Sequence, residues 1–230
     1  MKTIIHSILI TILFLFIGCN KNKNIRQEFY SSGQLKYEVQ VTNDLRNGNE
    51  IEYYESGFIK MQGTCINDNE AGFYYYYNMN QQLDSIIEYV PVNIEKPLDT
   101  FFEDNDHDKN GSVVNRQIIF KEREVDRKKS VHFEISLKKD TILLGDTIRG
   151  LVDFVNQSNN QKNKFKVYIR TEKNETNALS LEPKDNEQLS FFNFIPKTKG
   201  KHTLKGLIEE QFEATDNVRF LFFEKEYYVK

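Results

Sequence analysis

Phe29-Tyr30-Ser31-Ser32-Gly33-Gln34-Leu35-Lys36 returns 24 residues later as Tyr53-Tyr54-Glu55-Ser56-Gly57-Phe58-Ile59-Lys60. The register between the two copies continues without a gap, so that Asn43-Asp44 falls on Asn67-Asp68 and Gly48 on Gly72. A third, decayed copy puts Tyr77 under Tyr53 and Leu83 under Ile59, with Gln81 in place of the glycine. Similarity at a fixed period marks stacked supersecondary units, each too small to bury its apolar face alone. The residue types identify the unit. Ser-Ser-Gly and Glu-Ser-Gly between apolar runs suit tight hairpin turns whose glycine takes the left-handed conformation, and Asn47-Gly48 is a second turn signal. Between the turns, Leu35, Tyr37, Val39 and Val41 alternate with Lys36, Glu38 and Gln40, and Ile59, Met61, Gly63 and Cys65 alternate with Lys60, Gln62 and Thr64. Period two predicts an antiparallel meander with one apolar and one wet face. Cys65 then fills the same column as Val41, as a small apolar residue.

The pattern aromatic-Tyr-x-Ser-Gly-x-aliphatic-Lys, followed by Asn-Asp and a glycine at this spacing, resembles the variant MORN repeat over residues 25–90. The resemblance implies a ribbon of β-hairpins used for protein contacts, and no catalytic set comes with it. The family includes many lipoproteins and proteins described as antitoxins of toxin–antitoxin systems. Some MORN repeats are proposed to contact acidic phospholipid headgroups. Here residues 25–90 carry four basic and ten acidic side chains, a net charge of −6, which opposes an anionic surface. The run Phe73-Tyr74-Tyr75-Tyr76-Tyr77 is more informative. Successive side chains of a strand face opposite ways, so some of these rings leave the core, and tyrosine is favoured at recognition surfaces. Tyr53, Tyr54, Tyr74 and Tyr76 are the candidate partner-binding residues; the alternative is that the rings stack across strands.

Upstream of the repeats, Lys2 precedes an apolar run of 15 residues from Ile4 to Gly18. As a helix that run is about 22 Å long, short of the ~30 Å hydrocarbon core of a bilayer. It ends Leu15-Phe16-Ile17-Gly18-Cys19 and is followed by polar Asn20-Lys21-Asn22-Lys23. This resembles a bacterial lipoprotein signal, with residues 1–18 the signal peptide, Cys19 the lipidated residue and 19–24 a tether. The resemblance implies a cell-envelope protein held to a membrane by two or more acyl chains, which anchor stably where one does not. Cys65 is then the one remaining thiol, and no disulfide forms within the chain.

Downstream, residues 91–130 lack sustained alternation and read as a charged connector. Pro91 is expected to end the strand carrying Ile87 and Tyr89. Asp106-His107-Asp108-Lys109-Asn110-Gly111 places oxygen ligands Asp106, Asp108 and Asn110 at positions one, three and five of a calcium loop, with Gly111 at six. Gln117 stands where the bidentate glutamate belongs, and Gln117-Ile118-Ile119-Phe120 reads as a strand rather than a flanking helix. The segment is read as an acidic turn, with Ca2+ binding as the alternative.

Residues 131–230 contain six or seven short strand-like runs (131–137, 147–155, 165–170, 189–195, 202–208 and 219–229) separated by polar turn clusters. Such spacing argues for a β-sandwich, and the segment looks like the Ig-like modules of exported bacterial proteins. The expected fold class is therefore all-β, a MORN-type hairpin meander followed by an Ig-like β-sandwich. Composition agrees: 39% hydrophobic and 28% charged residues describe a folded chain, and a net charge of −3 gives no electrostatic reason to expect nucleic acid as a partner. His107, His132 and His202 fall in no catalytic motif. The function expected is non-catalytic protein binding or scaffolding at the envelope, toward an envelope protein as partner. The alternatives are an antitoxin or immunity-type inhibitor, and an envelope hydrolase.

Overall fold

In a computed structural model describing residues 24–95, 101, 109–127, 129–154, 163–170, 179–181, 189–212 and 217–230, three turns of one design mark the 24-residue period. The Tyr30 N–H donates to the Gln34 carbonyl (2.8 Å) and the Gly33 N–H to the Tyr30 carbonyl (2.9 Å). Tyr54, Gly57 and Phe58 repeat the arrangement at 2.8 and 2.8 Å, and Asn78, Gln81 and Gln82 at 2.9 and 2.9 Å. Gly33 and Gly57 sit at φ 85° and 84°, and Gln81 takes the same left-handed place at 59°. The decayed copy therefore keeps its turn although it has lost the glycine. At the other end of the hairpins the chain reverses at Asn43-Asp44 (φ 52° and 65°) and Asn67-Asp68 (φ 49° and 66°), the left-handed pair a two-residue hairpin turn requires. Asn47-Gly48 is not a turn: it lies within a strand, opposite a register shift.

These turns connect β1 (Asn24–Phe29), β2 (Leu35–Thr42), β3 (Leu45–Tyr53), β4 (Ile59–Ile66), β5 (Asn69–Tyr77) and β6 (Leu83–Val92). With β7 (Gly111–Lys121) and β8 (Glu124–Val125) they form one antiparallel sheet of eight strands in chain order. The sheet continues through the predicted end of the ribbon. Pro91 does not end β6; it sits opposite Ser112 of β7, beyond Gly72–Tyr89, where pairing with β5 stops. A residue without an N–H is tolerated where one side of the strand carries no ladder. Residues 111–121, read in sequence as part of the connector, make an 11-residue strand. Their alternation is broken by a bulge: Glu88 pairs with Arg116 and Tyr89 with Val114, leaving Asn115 as the extra residue.

The remaining strands are β9 (Phe133–Leu137), β10 (Thr141–Ile142), β11 (Ile148–Phe154), β12 (Asn163–Arg170), β13 (Leu179–Leu181), β14 (Leu189–Phe194), β15 (Gly200–Phe212) and β16 (Val218–Val229). They form a five-stranded sheet, β10-β16-β15-β12-β13, and a three-stranded sheet, β14-β11-β9. The inward residues of both sheets share one core. Phe133, Val152, Phe154 and Phe192 come from one sheet, and Val167, Ile169, Leu204, Ile208, Leu221, Phe223 and Tyr227 from the other. The chain is all-β, as its alternation predicts.

Ribbon and sandwich meet through the outer side of the five-stranded sheet. Leu221 and Phe223 point into the sandwich core, so Phe222 points out, where with Leu207 and Phe101 it packs on Val90 and Val113 of β6 and β7. The bulge turns Asn115 toward β16. Its amide donates to the Phe222 carbonyl (2.8 Å) and accepts from the Phe222 N–H (2.6 Å). One side chain thus serves β16 as a strand neighbour would.

Candidate functional site

The 24-residue repeat aligns Arg26, Glu50 and Tyr74 in one column, and two of these build the centre of the ribbon. Glu50 is buried, and its carboxylate accepts hydrogen bonds from Tyr37 Oη (2.6 Å), Arg46 Nη1 (3.1 Å), Cys65 Sγ (2.7 Å) and Tyr74 Oη (2.8 Å). Burial pushes the carboxyl upward, but the hydrogen bonds from Cys65, Tyr37 and Tyr74 and the charge of Arg46 outweigh it and hold Glu50 below the usual carboxylate range. Burial, reinforced by Glu50, pushes the Cys65 thiol up to about 12. The Tyr74 phenol is also raised, by burial and by its contacts with Cys65 and Glu50. Cys65 is therefore more than a filler: it is a protonated donor that helps satisfy a buried charge.

This arrangement corrects the reading of the tyrosine run. Tyr74 is 1% exposed; its ring covers Gly63, where an added Cβ would lie 2.5 Å from the ring, and meets Tyr89 edge-on at 5.1 Å. Tyr76 is half-buried against the same cluster, with its hydroxyl 3.4 Å from that of Tyr89. Tyr74 is therefore a core residue with no surface to offer a partner, and Tyr76 is partly covered by the same cluster. The signal was in the hairpin register: across the Asn67-Asp68 turn, Cys65 pairs with Glu70. The even-numbered residues of β5 therefore share the buried face with Cys65.

Tyr53 and Tyr54 are largely committed to the ribbon itself. Tyr54 Oη donates to the Tyr77 carbonyl at 2.7 Å, and Tyr30 Oη to the Tyr53 carbonyl at 2.7 Å, so each turn is tied to the next by the same bond. Tyr53 Oη donates to Glu38 at 2.7 Å, and Tyr77 Oη accepts from Gln62 at 2.9 Å, a second contact repeated with the period. The face opposite Tyr74 carries a different surface, a row that includes none of the four candidate tyrosines. Ladder pairing aligns Ile51, Gln62, Tyr75, Ile86 and Ile118 in one row across β3–β7. Tyr75 is 36% exposed and the three isoleucines are half-buried, with Phe73 exposed beside them.

A cleft of about 470 Å³ lies between the ribbon and the sandwich. Glu88, Tyr89, Val90 and Arg116 line it from the ribbon, and Phe133, Ile135, Lys205, Phe222, Glu224 and Lys225 from the sandwich. Its size falls in the range of small-molecule sites, but its charges are largely paired. Arg116 grips Glu88 with Nε (2.5 Å) and Nη2 (2.7 Å) and lies 5.1 Å from the ring centres of both Phe73 and Phe133. Lys205 reaches Glu224 at 3.2 Å and the Phe101 carbonyl at 3.1 Å. The cleft reads as a polar seam of the junction.

Of the metal candidates, Asp106 and Asp108 lie outside the described residues, as does Cys19. Asn110 uses its Oδ1 to accept from the Ile94 N–H at 2.9 Å. Among the described residues no group of three metal-ligating side chains converges. His202 is hydrogen-bonded to the Thr198 carbonyl (3.0 Å) and stacks on Tyr227. His132 is held below the usual histidine range by burial and by Arg116 and Arg127, against the opposing charge of Glu134.

No protein-family model and no curated protein sequence matches the chain. Among solved structures, it is similar to superoxide reductase (neelaredoxin) from Ignicoccus hospitalis, at 16% identity and a TM-score of 0.31, over 44% of this chain and 82% of that one. A variant of the same protein matches at 15% identity with the same TM-score and coverage. A likeness at that level carries no argument about the chemistry of this chain.

Proposed function

We propose that the protein is a lipid-anchored component of the bacterial envelope that binds another protein through the open face of its ribbon and catalyses no reaction. The observation that carries the reading is the row Ile51, Gln62, Tyr75, Ile86 and Ile118, with exposed Phe73 beside it. A row of three isoleucines and one large, rigid, amphipathic ring, broken by a single polar side chain, suits a protein partner better than a small ligand. The resemblance of the repeats to variant MORN ribbons supports the same use, and the apolar leader of residues 1–18 followed by Cys19 supports the address. Under this reading the sandwich sets the position of the ribbon and contributes little to recognition.

In-cell photocrosslinking from position 75, followed by mass spectrometry, tests the contact. A discrete envelope protein should be captured there and not from Phe191, which is 65% exposed on the sandwich. With the crosslinker at position 75, Phe73→Ser beside it should strongly reduce capture while leaving the chain folded by circular dichroism. Failure to capture a partner from position 75, or equal capture from position 191, overturns the proposal. The address is tested separately: an unmodified amino terminus beginning at Met1 in the membrane fraction would refute lipidation at Cys19.

A further inference from the structure

Strand β1 is an edge of the eight-stranded sheet and carries Arg26 and Glu28 among its exposed side chains. Among the described residues it pairs with β2 alone, and all six of its side chains are exposed. Its outer side therefore offers a row of backbone donors and acceptors, the feature that proteins normally blunt with charge, proline or a covering element. The repeat sharpens the point. Phe29, Tyr53 and Tyr77 occupy one column; Tyr53 and Tyr77 each bond a residue of the preceding strand, Glu38 and Gln62. Phe29 has no preceding strand among the described residues and stands 58% exposed, with Ile25 on the same side of β1 at 56%.

We infer that this edge pairs with the same edge of a second copy of the chain, antiparallel, about a two-fold axis through Gln27. The choice of axis follows from strand geometry. Alternate residues turn their backbone groups outward, so a two-fold axis between identical edges must bring odd residues to odd and even to even. An axis at residue 26 sets Arg26 on Arg26, and one at residue 28 sets Glu28 on Glu28; like charges directly opposite destabilise a ladder. The axis at Gln27 sets Arg26 against Glu28 of the second copy, and Ile25 against Phe29 of the second copy. Each contact occurs twice. The ion pairs lie on one face; on the other, Gln27 meets Gln27 with an Ile25–Phe29 pair on either side of it. Arg26 gives one bond to the Asp44 carbonyl (3.0 Å), leaving further donors of its guanidinium for the partner. The two eight-stranded ribbons then form one continuous sheet of sixteen strands. This inference is independent of the partner proposed for Tyr75.

The test uses the full chain with Cys19→Ser, in detergent, by analytical ultracentrifugation. A dimer is expected. Arg26→Glu, which places glutamate against Glu28 twice, should weaken it by about tenfold or more. Arg26→Glu combined with Glu28→Arg should return dimerisation to near the parent level, a rescue that a merely structural role for Arg26 does not produce. Circular dichroism melts establish that each variant is folded. A second measurement stands if they are not: a short bis-maleimide should join Gln27→Cys chains to one another. It should also join Ile25→Cys to Phe29→Cys chains when the two are mixed. Ile25→Cys alone should react poorly, its two copies lying about 13 Å apart along the strands. A monomer at all concentrations, a dimer indifferent to Arg26→Glu, or equal crosslinking at all three positions overturns the inference.

Discussion

Replacing Asn115 asks whether one side chain couples the ribbon to the sandwich. It is 1% exposed, and all the hydrogen-bonding capacity of its amide nitrogen is used, on the Phe222 carbonyl (2.8 Å) and on Glu88 (2.6 Å). Its oxygen takes the Phe222 N–H at 2.6 Å. Asn115→Ala leaves that N–H and carbonyl without a partner on this side of β16, because β10 pairs with β16 only at Tyr228 and Val229. A buried polar group left unmet costs about 1–3 kcal/mol, and water entering from the adjacent cleft recovers part of the loss. We expect a net destabilisation of about 2–4 kcal/mol, which lowers the melting temperature of a chain this size by roughly 5–15 °C. Asn115→Asp keeps the acceptor, loses the donor and sets a carboxylate against Glu88 and the Phe222 carbonyl. It should be at least as harmful near pH 7 and recover as acid protonates the new carboxyl. Urea unfolding followed by tyrosine fluorescence gives the magnitude, and hydrogen exchange of the peptide containing Phe222 gives the location. Asn115→Ala within about 0.5 kcal/mol of the parent, with exchange unchanged, would refute the reasoning. The apolar contact of Val90 and Val113 with Leu207 and Phe222 would then suffice for the junction.

Three further outcomes follow from the ribbon. Gly57→Ala places a Cβ in open space at φ 84°, so its cost is the left-handed backbone alone, about 1–2 kcal/mol in urea unfolding; a neutral result would show that the turn relaxes. Gly63→Ala drives a Cβ to 2.5 Å from the Tyr74 ring and should cost about 1–3 kcal/mol, with a change in the near-ultraviolet dichroism of the tyrosines. Because Glu50 is held below its ordinary value, its contribution is fully present above the unfolded-state pKa of about 4.3 and fades as pH falls through the folded value. The stability gap between parent and Glu50→Gln should therefore narrow from pH 7 to pH 3, and parallel curves would count against the buried carboxylate.

The Glu50 network and the Asn115 bond show where sequence reasoning stops. The columns Val39, Val41 and Met61, Cys65 were legible because alternation within one strand marks its buried face, and these four residues are buried. The turns at Gly33 and Gly57 were legible because the left-handed backbone selects its residues. The burial of Tyr74 is not legible, because a run of five aromatic residues carries no alternation of its own and only pairing across the turn gives it a phase. In residues 111–121 only 117–120 are legible as strand, because a bulge shifts the period in mid-strand, and the partner that the bulged residue meets, Phe222, lies 107 residues from Asn115. Glu50 gives no local sign of burial, since its four partners lie on β2, β3, β4 and β5.

By itself, then, the amino-acid order determined the all-β class, the 24-residue period, the turns at Gly33 and Gly57 and the inward face of the first hairpins. Each of these is set by φ preferences and side-chain alternation within a few residues. The tertiary structure alone decided which tyrosines are spent on the core, how a buried carboxylate is satisfied, and that the ribbon runs on through β7 to lock onto the sandwich. Those outcomes depend on hydrogen-bond partners supplied by separate strands, and no local pattern encodes a partner that arrives only on folding.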